Sequence, residues 1–355
     1  MTRRLLRVIA LVAAAALLPL VVPGQYPALA AEDGAADRKR YEQRFRWEWP
    51  KTDFARHRVP PDEIVAGGPP RDGIPSIDRP KYATLEGGKA TGWLADLDPQ
   101  EPVISLSIKG DVRAYPLRIL TWHEIVNDVV GGEPVAVTYC PLCNSSLVFS
   151  RMLKGRVLDF GTTGLLRHSD LVMYDRQTET WWQQFVGKAI VGTLAGERLD
   201  ILPSRLESYA AFQERHPGGR VLIPENPEAR DYGRNPYVGY DSLAEPYFFS
   251  GNIDVAPHRP MDRVVATVAG GRPVAIPISL LRDREEIAVG DILVKWFPGQ
   301  RSALDTRDIA AGREVGNVVV TRGDGNADAD VPYHVTFAFA FRAFHPEGEI
   351  LQAAP

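Results

Sequence analysis

Cysteine is almost absent from this sequence: its 355 residues include only two, Cys140 and Cys143, both within the stretch VTYCPLCNSS. That scarcity excludes a disulfide framework, because one bridge across two intervening residues closes almost no loop and adds little stability through chain entropy. An excess of either charge is missing too. The formal net charge is -4, with 41 Lys and Arg against 45 Asp and Glu, and this balance argues against a nucleic-acid partner. A second C-x-x-C, an H-x-x-x-H pair and a phosphate-cradling glycine loop are all absent, so the common zinc and nucleotide patterns do not apply.

One long apolar run is present, at the start. Arg3 and Arg4 precede Leu5 to Val22, and Ala28-Leu29-Ala30 follows as a small-x-small site before the acidic Ala31-Glu32-Asp33. This is the layout of a cleaved signal peptide; Pro19, Pro23 and Gly24 break the run before a spanning length is secure. Thr2-Arg3-Arg4-Leu5-Leu6 loosely fits a twin-arginine signal, with the usual Sec route the first expectation. The expectation is an exported protein, periplasmic or extracellular, with its signal at 1–30 and no transmembrane segment after cleavage. Pro and Gly are plentiful, 29 and 31 residues, which favours short strands joined by turns. The predicted fold class is therefore α+β, predominantly antiparallel β, with a few short helices.

Two stretches read alike. The first runs from Glu101 through VISLSIKGDVRAYP to the cysteines; the second starts near Met261 and continues through VVATVAGGRPVAIP. Each gives a strand, a glycine turn, a strand ending in proline (Pro116, Pro277), a short helix, a further strand and a turn proline (Pro141, Pro298). We read them as divergent repeats. This divides the chain into an irregular, charged arm at 31–92, a first repeat at 93–260 and a second, degenerate repeat at 261–355. Within the first repeat, Ser204 to His216 reads as a helix, with Ser204 and Glu207 as a capping box and Pro217-Gly218-Gly219 as the stop. Asp231 to Tyr247, rich in tyrosine, reads as an ordered linker.

The repeats act as an internal control. Aligned on their prolines, His123 faces Arg284, Glu124 faces Glu285, Tyr139 faces Trp296, Cys140 faces Phe297 and Cys143 faces Gln300. The turn proline and the aromatic persist, whereas both sulfurs and the histidine do not, so the shared fold does not require them.

A Cys-Pro-Leu-Cys turn can aim two sulfurs to one side. Metal binding is the leading reading, with Cys140, Cys143 and His123 as ligands and His168 or Met173 as additional donors. Two thiolates with imidazole and thioether suit copper, particularly Cu(I); two thiolates with two imidazoles suit zinc. Glu124, Asn127, Tyr139, Asp170, Tyr174 and Trp181 are the expected surrounding or pocket residues. The second reading is a thiol–disulfide oxidoreductase in which Cys140 and Cys143 are catalytic. The third is a noncatalytic binding module with a local disulfide. A lone nucleophilic cysteine, with His123 as base, leaves the second cysteine unexplained. The expected partner is a small ligand or metal ion. An acidic run at Gly323 to Asp330 lacks the spacing of an EF-hand and reads as a hairpin tip.

The motifs TWHEIVND, VTYCPLCNSS and GLLRHSDLVMYDRQTETWWQQ resemble those of a family of exported bacterial proteins, the domain-of-unknown-function 3179 family, over Pro102 to Ala311. The shared positions map to His123, Cys140, Cys143, Ser169, Asp170 and Tyr174, and the resemblance implies that His168 occupies a position often filled by asparagine. It implies kinship of fold and no settled activity.

Overall fold

The computed structural model describes residues 31–85, 90–249, 253–323 and 329–352. The expected signal at 1–30 and most of the acidic run after Gly323 lie outside them. Among the described residues the fold is mostly antiparallel β with five short helices, and no helix is long and apolar enough to cross a membrane.

The first half begins with β1 (Pro102–Ile108), β2 (Asp111–Pro116), helix α2 (Leu117–His123), β3 (Ile125–Val130), β4 (Glu133–Cys140) and β5 (Ser145–Ser150), preceded by helix α1 (Ala31–Phe45). Then come β6 (Phe160–Arg167), β7 (Asp170–Asp175), β8 (Trp181–Gln183), β9 (Lys188–Val191), β10 (Arg205–Ser208), α3 (Tyr209–Arg215) and β11 (Arg220–Ile223). The second half holds β12 (Arg263–Ala269), β13 (Arg272–Pro277), α4 (Ile278–Arg284), β14 (Glu286–Val289), β15 (Ile292–Phe297), β16 (Asn317–Arg322), β17 (His334–Phe337), α5 (Ala338–Phe344) and β18 (Glu349–Ile350).

These strands make five sheets of four or five strands, completed by short edge strands, and a two-stranded hairpin. The larger sheets match the number and size of blades in a five-bladed β-propeller. The expected two-repeat division does not account for the sheet of β6 to β9, which has no counterpart in the second half. The other four sheets do correspond in pairs. Val103 pairs with Pro116 as Val264 pairs with Pro277. Helices α2 and α4 each end on a glutamate in positive φ, Glu124 at 57° and Glu285 at 62°. The Tyr139 N–H donates to the Glu124 carbonyl, and the Trp296 N–H to that of Glu285, both at 2.8 Å. The shortening that the sequence alignment requires falls in the β14–β15 hairpin, whose strands are shorter than β3 and β4. Strand β11 runs parallel to β2, and β18 parallel to β13.

Two expectations need correction. The segment from Ser204 is not one helix: Arg205–Ser208 pairs with β1, Leu206 opposite Ile104, and the helix begins only at Tyr209. Its cap is Ser208, whose side chain accepts from the Ala211 N–H. The open edge of β1 thus decided the fate of a segment whose local pattern suits a helix. Nor is the arm irregular throughout. Its first part is α1, and Tyr41 and Phe45, four apart on one helix face, pack with Trp49, Phe54 and Trp181.

Candidate functional site

Strand β4 ends at Cys140 because Cys140 pairs with Ser145 across the hairpin, leaving Pro141 to Asn144 as its loop. Asn144 closes the loop at φ 51°, a left-handed value that asparagine tolerates, and its N–H donates to the Pro141 carbonyl at 3.1 Å. Other parts of the chain fix the loop. The Tyr240 hydroxyl donates to the Leu142 carbonyl at 2.9 Å, and Thr336 Oγ1, on β17, to the Cys143 carbonyl at 2.8 Å.

Asp170 arrives from a different sheet. Strands β6 and β7 form a hairpin with Arg167 opposite Asp170, and the two turn residues, His168 and Ser169, both have positive φ, 51° and 64°. A type I′ turn demands that conformation at both central positions. It delivers Asp170, fully buried, to the cysteines: a sulfur from each and one carboxylate oxygen lie within 4.8 Å of one another. Asp170 Oδ2 accepts from Gln183 Nε2 at 2.6 Å and from the Phe185 N–H at 2.9 Å. Among the described residues no N–H or O–H reaches Asp170 Oδ1, and the two thiols are the donors that face this carboxyl.

Burial dominates the electrostatics. It pushes the Cys140 thiol up and the Cys143 thiol further, well above the ordinary range. It also raises the Asp170 carboxyl to about 7 against the pull of Gln183, the Phe185 N–H and the two thiols, which all favour its charged form. Glu124 is raised to about 8, first by burial and then by the charge of Asp170. No described residue hydrogen-bonds the Glu124 carboxyl, which lines a cavity of about 570 Å³ together with Leu142 and Leu171, sequence neighbours of the cysteines and Asp170. The arm closes one wall of that cavity. Gly67 N–H donates to the Gly164 carbonyl at 2.8 Å, and Gly164, at φ 73°, has no room for a side chain because a Cβ would stand 2.0 Å from the Pro69 carbonyl oxygen.

Of the residues expected from sequence, Cys140, Cys143 and Asp170 come together, with Glu124 beside them. Met173 shares their apolar cluster, opposite Trp182 on β8. His123 does not join the group. Its Nδ1 lies 2.8 Å from the Pro75 carbonyl and its Nε2 2.7 Å from the Tyr232 hydroxyl, so it ties the arm to the linker. His168 is a turn residue beside Glu63 and outside the group. Asn127 exchanges two hydrogen bonds with the Phe160 backbone, at 2.8 and 2.9 Å, and so joins two sheets. Tyr139 belongs to the large core, while Tyr174 and Trp181 belong to the cluster around α1.

Sequence reasoning missed Gln183 and Phe185, which hold Asp170, and the aromatic wall of Tyr237 and Phe248. The available signal was an aspartate opening a strand with four apolar or aromatic residues before its next acid.

A family model described as "Protein of unknown function (DUF3179)" matches residues 71–348. No curated protein and no solved structure matches the chain.

Proposed function

We propose, for a chain that belongs to the DUF3179 family of unknown function, that Cys140, Cys143 and Asp170 hold a metal ion. The observation that carries this reading is the approach of two thiols to a buried Asp170 oxygen that no N–H or O–H of the described residues reaches. A buried polar atom left bare costs about 1–3 kcal/mol, and a cation bound there removes that cost. Two thiolates and a carboxylate make an S₂O donor set, which suits zinc. With no imidazole in the group and a hard oxygen present, Cu(I) loses its advantage, so zinc now precedes copper.

The paired geometry of the two halves supports a duplication, and the second half keeps the turn proline while placing Phe297 and Gln300 where the sulfurs would be. The dithiol reading ranks second, because both sulfurs are buried and exchange needs access for an attacking or substrate thiol. Export through the expected signal at 1–30 would put these thiols in an oxidising compartment, where a bound metal protects them.

Metal analysis of chelator-free protein, purified anaerobically, tests the proposal. Near-stoichiometric zinc is expected, lost in Cys140→Ser and Cys143→Ser and reduced in Asp170→Asn. A metal-free chain with a reducible Cys140–Cys143 bond of catalytic potential would replace metal binding with the dithiol role.

A further inference from the structure

The cavity beside the cysteine group has its own chemistry, and the inference drawn from it does not rest on metal binding. Its volume, about 570 Å³, lies within the range of small-molecule sites. Leu142, Leu165, Leu166 and Leu171 line it, and Tyr237 and Phe248 add aromatic surface. Thr162, one of the few polar side chains there, already donates from Oγ1 to the Ile74 carbonyl at 2.7 Å. Among the described residues no lysine, arginine or histidine lines the chamber.

Among the described lining residues Glu124 supplies the one carboxyl group. The residue is 7 % exposed, and no described donor reaches its carboxyl. It caps α2 at φ 57°, an unfavourable conformation for a glutamate side chain, and still directs the carboxyl to an apolar chamber. The equivalent Glu285 keeps the backbone conformation. The cap therefore explains the backbone at Glu124 but not why a carboxyl without a donor among the described residues lines the chamber. At the rim, Tyr247 and Phe248 are 50 % and 48 % exposed, large apolar surfaces left in water.

We propose that this cavity binds a small amphiphile whose apolar body fills the leucine-lined chamber and whose single ammonium group pairs with the Glu124 carboxylate. Charge complementarity selects the head group: an anion would meet an acid with no base to offset it, whereas a cation supplies the missing partner and gains from the aromatic rings. The apolar wall selects the body, which recovers transfer free energy as it leaves water.

Calorimetric titration with three probes of equal length, n-octylamine, n-octanol and octanoate, each below its aggregation concentration, decides the matter. The amine is expected to bind wild-type protein at least tenfold tighter than the alcohol, with octanoate weakest. Glu124→Gln should reduce the amine to the level of the alcohol while octanol affinity stays unchanged, which shows the chamber intact. Leu166→Trp, which fills the chamber, should weaken all three. Tightest binding by octanoate, an amine preference that survives Glu124→Gln, or no binding of any probe would each overturn the proposal. Metal content and amine preference are also read in Cys140→Ser. A preference retained there after metal is lost supports the Glu124 assignment, and one lost there moves the head group to the metal ligands and overturns it.

Discussion

Asp170 carries more of the proposed chemistry than either cysteine, because its environment is the harder to explain otherwise. A buried thiol is an ordinary small hydrophobe, satisfied by packing. A buried carboxyl with one oxygen doubly hydrogen-bonded and the other facing only weak thiol donors is poorly satisfied. Asp170→Asn should therefore separate binding from folding. Zinc affinity is expected to fall by more than the roughly 10–100-fold typical of an outer-shell change, while the metal-free variant unfolds at the wild-type temperature or above it, having lost a buried acid. Competition against a chromophoric chelator and a thermal melt read the two effects. Gln183→Ala probes the support of that oxygen pair. It leaves all three ligands in place, so zinc should weaken by roughly 10–100-fold without being lost. Unchanged affinity in Gln183→Ala would show that the Gln183 hydrogen bond does not orient Asp170.

Hairpins were the most legible part of this chain, for a steric reason. Turns at Lys109-Gly110, Gly131-Gly132 and Gly270-Gly271 all adopt positive φ at both positions, which these residues announce locally. The turn at His168-Ser169 does the same without a glycine, so its sequence looked like a place for a ligand. Making the histidine a turn residue predicts that His168→Asn leaves metal content intact, since asparagine accepts positive φ and keeps the turn. Loss of zinc in that variant would restore the histidine as a ligand. The misread parts share another feature: distant partners settled them. Arg205–Ser208 became a strand by pairing with β1, and His123 was claimed by Pro75 and Tyr232 from segments far along the chain. The Cys-Pro-Leu-Cys turn was visible in one ten-residue stretch. Its acidic partner was not, because no local pattern records which sheets approach one another. The clamp at Gly164 belongs to the same class. Gly164→Ala should cost about 2–4 kcal/mol by chemical denaturation, from positive φ and the clash with Pro69 together.

Buried ionisable groups of opposite kinds give the folded chain a distinctive dependence on pH. Burial holds His334 down to about 3 and His345 down to about 4. Both titrate near 6.5 when unfolded, so their contribution is fully present above that value and is lost as pH falls toward 3–4. Asp170 and Glu124 work in reverse. Their folded values of about 7 and about 8 stand above the unfolded ones near 4, so their contribution is present in acid and is lost as pH rises to 7–8. Each group tilts stability by at most about 1.4 kcal/mol per pH unit. Between about pH 4.5 and 6.5, two groups therefore oppose two, and the slopes offset. Above 6.5 the histidines no longer contribute to the slope, and the carboxyls act alone. Metal-free protein is expected to lose about 2 kcal/mol between pH 6.5 and 8. Zinc should reverse that trend. A metal-bound Asp170 needs no proton, and two thiols release theirs on binding, so each step up in pH favours the complex. The zinc-induced rise in melting temperature should thus be larger at pH 8 than at 6.5. Thermal melts with and without zinc across that range are the measurement. A flat metal-free curve would remove the buried acids from the argument, and a zinc shift that shrinks with pH would remove the thiolates.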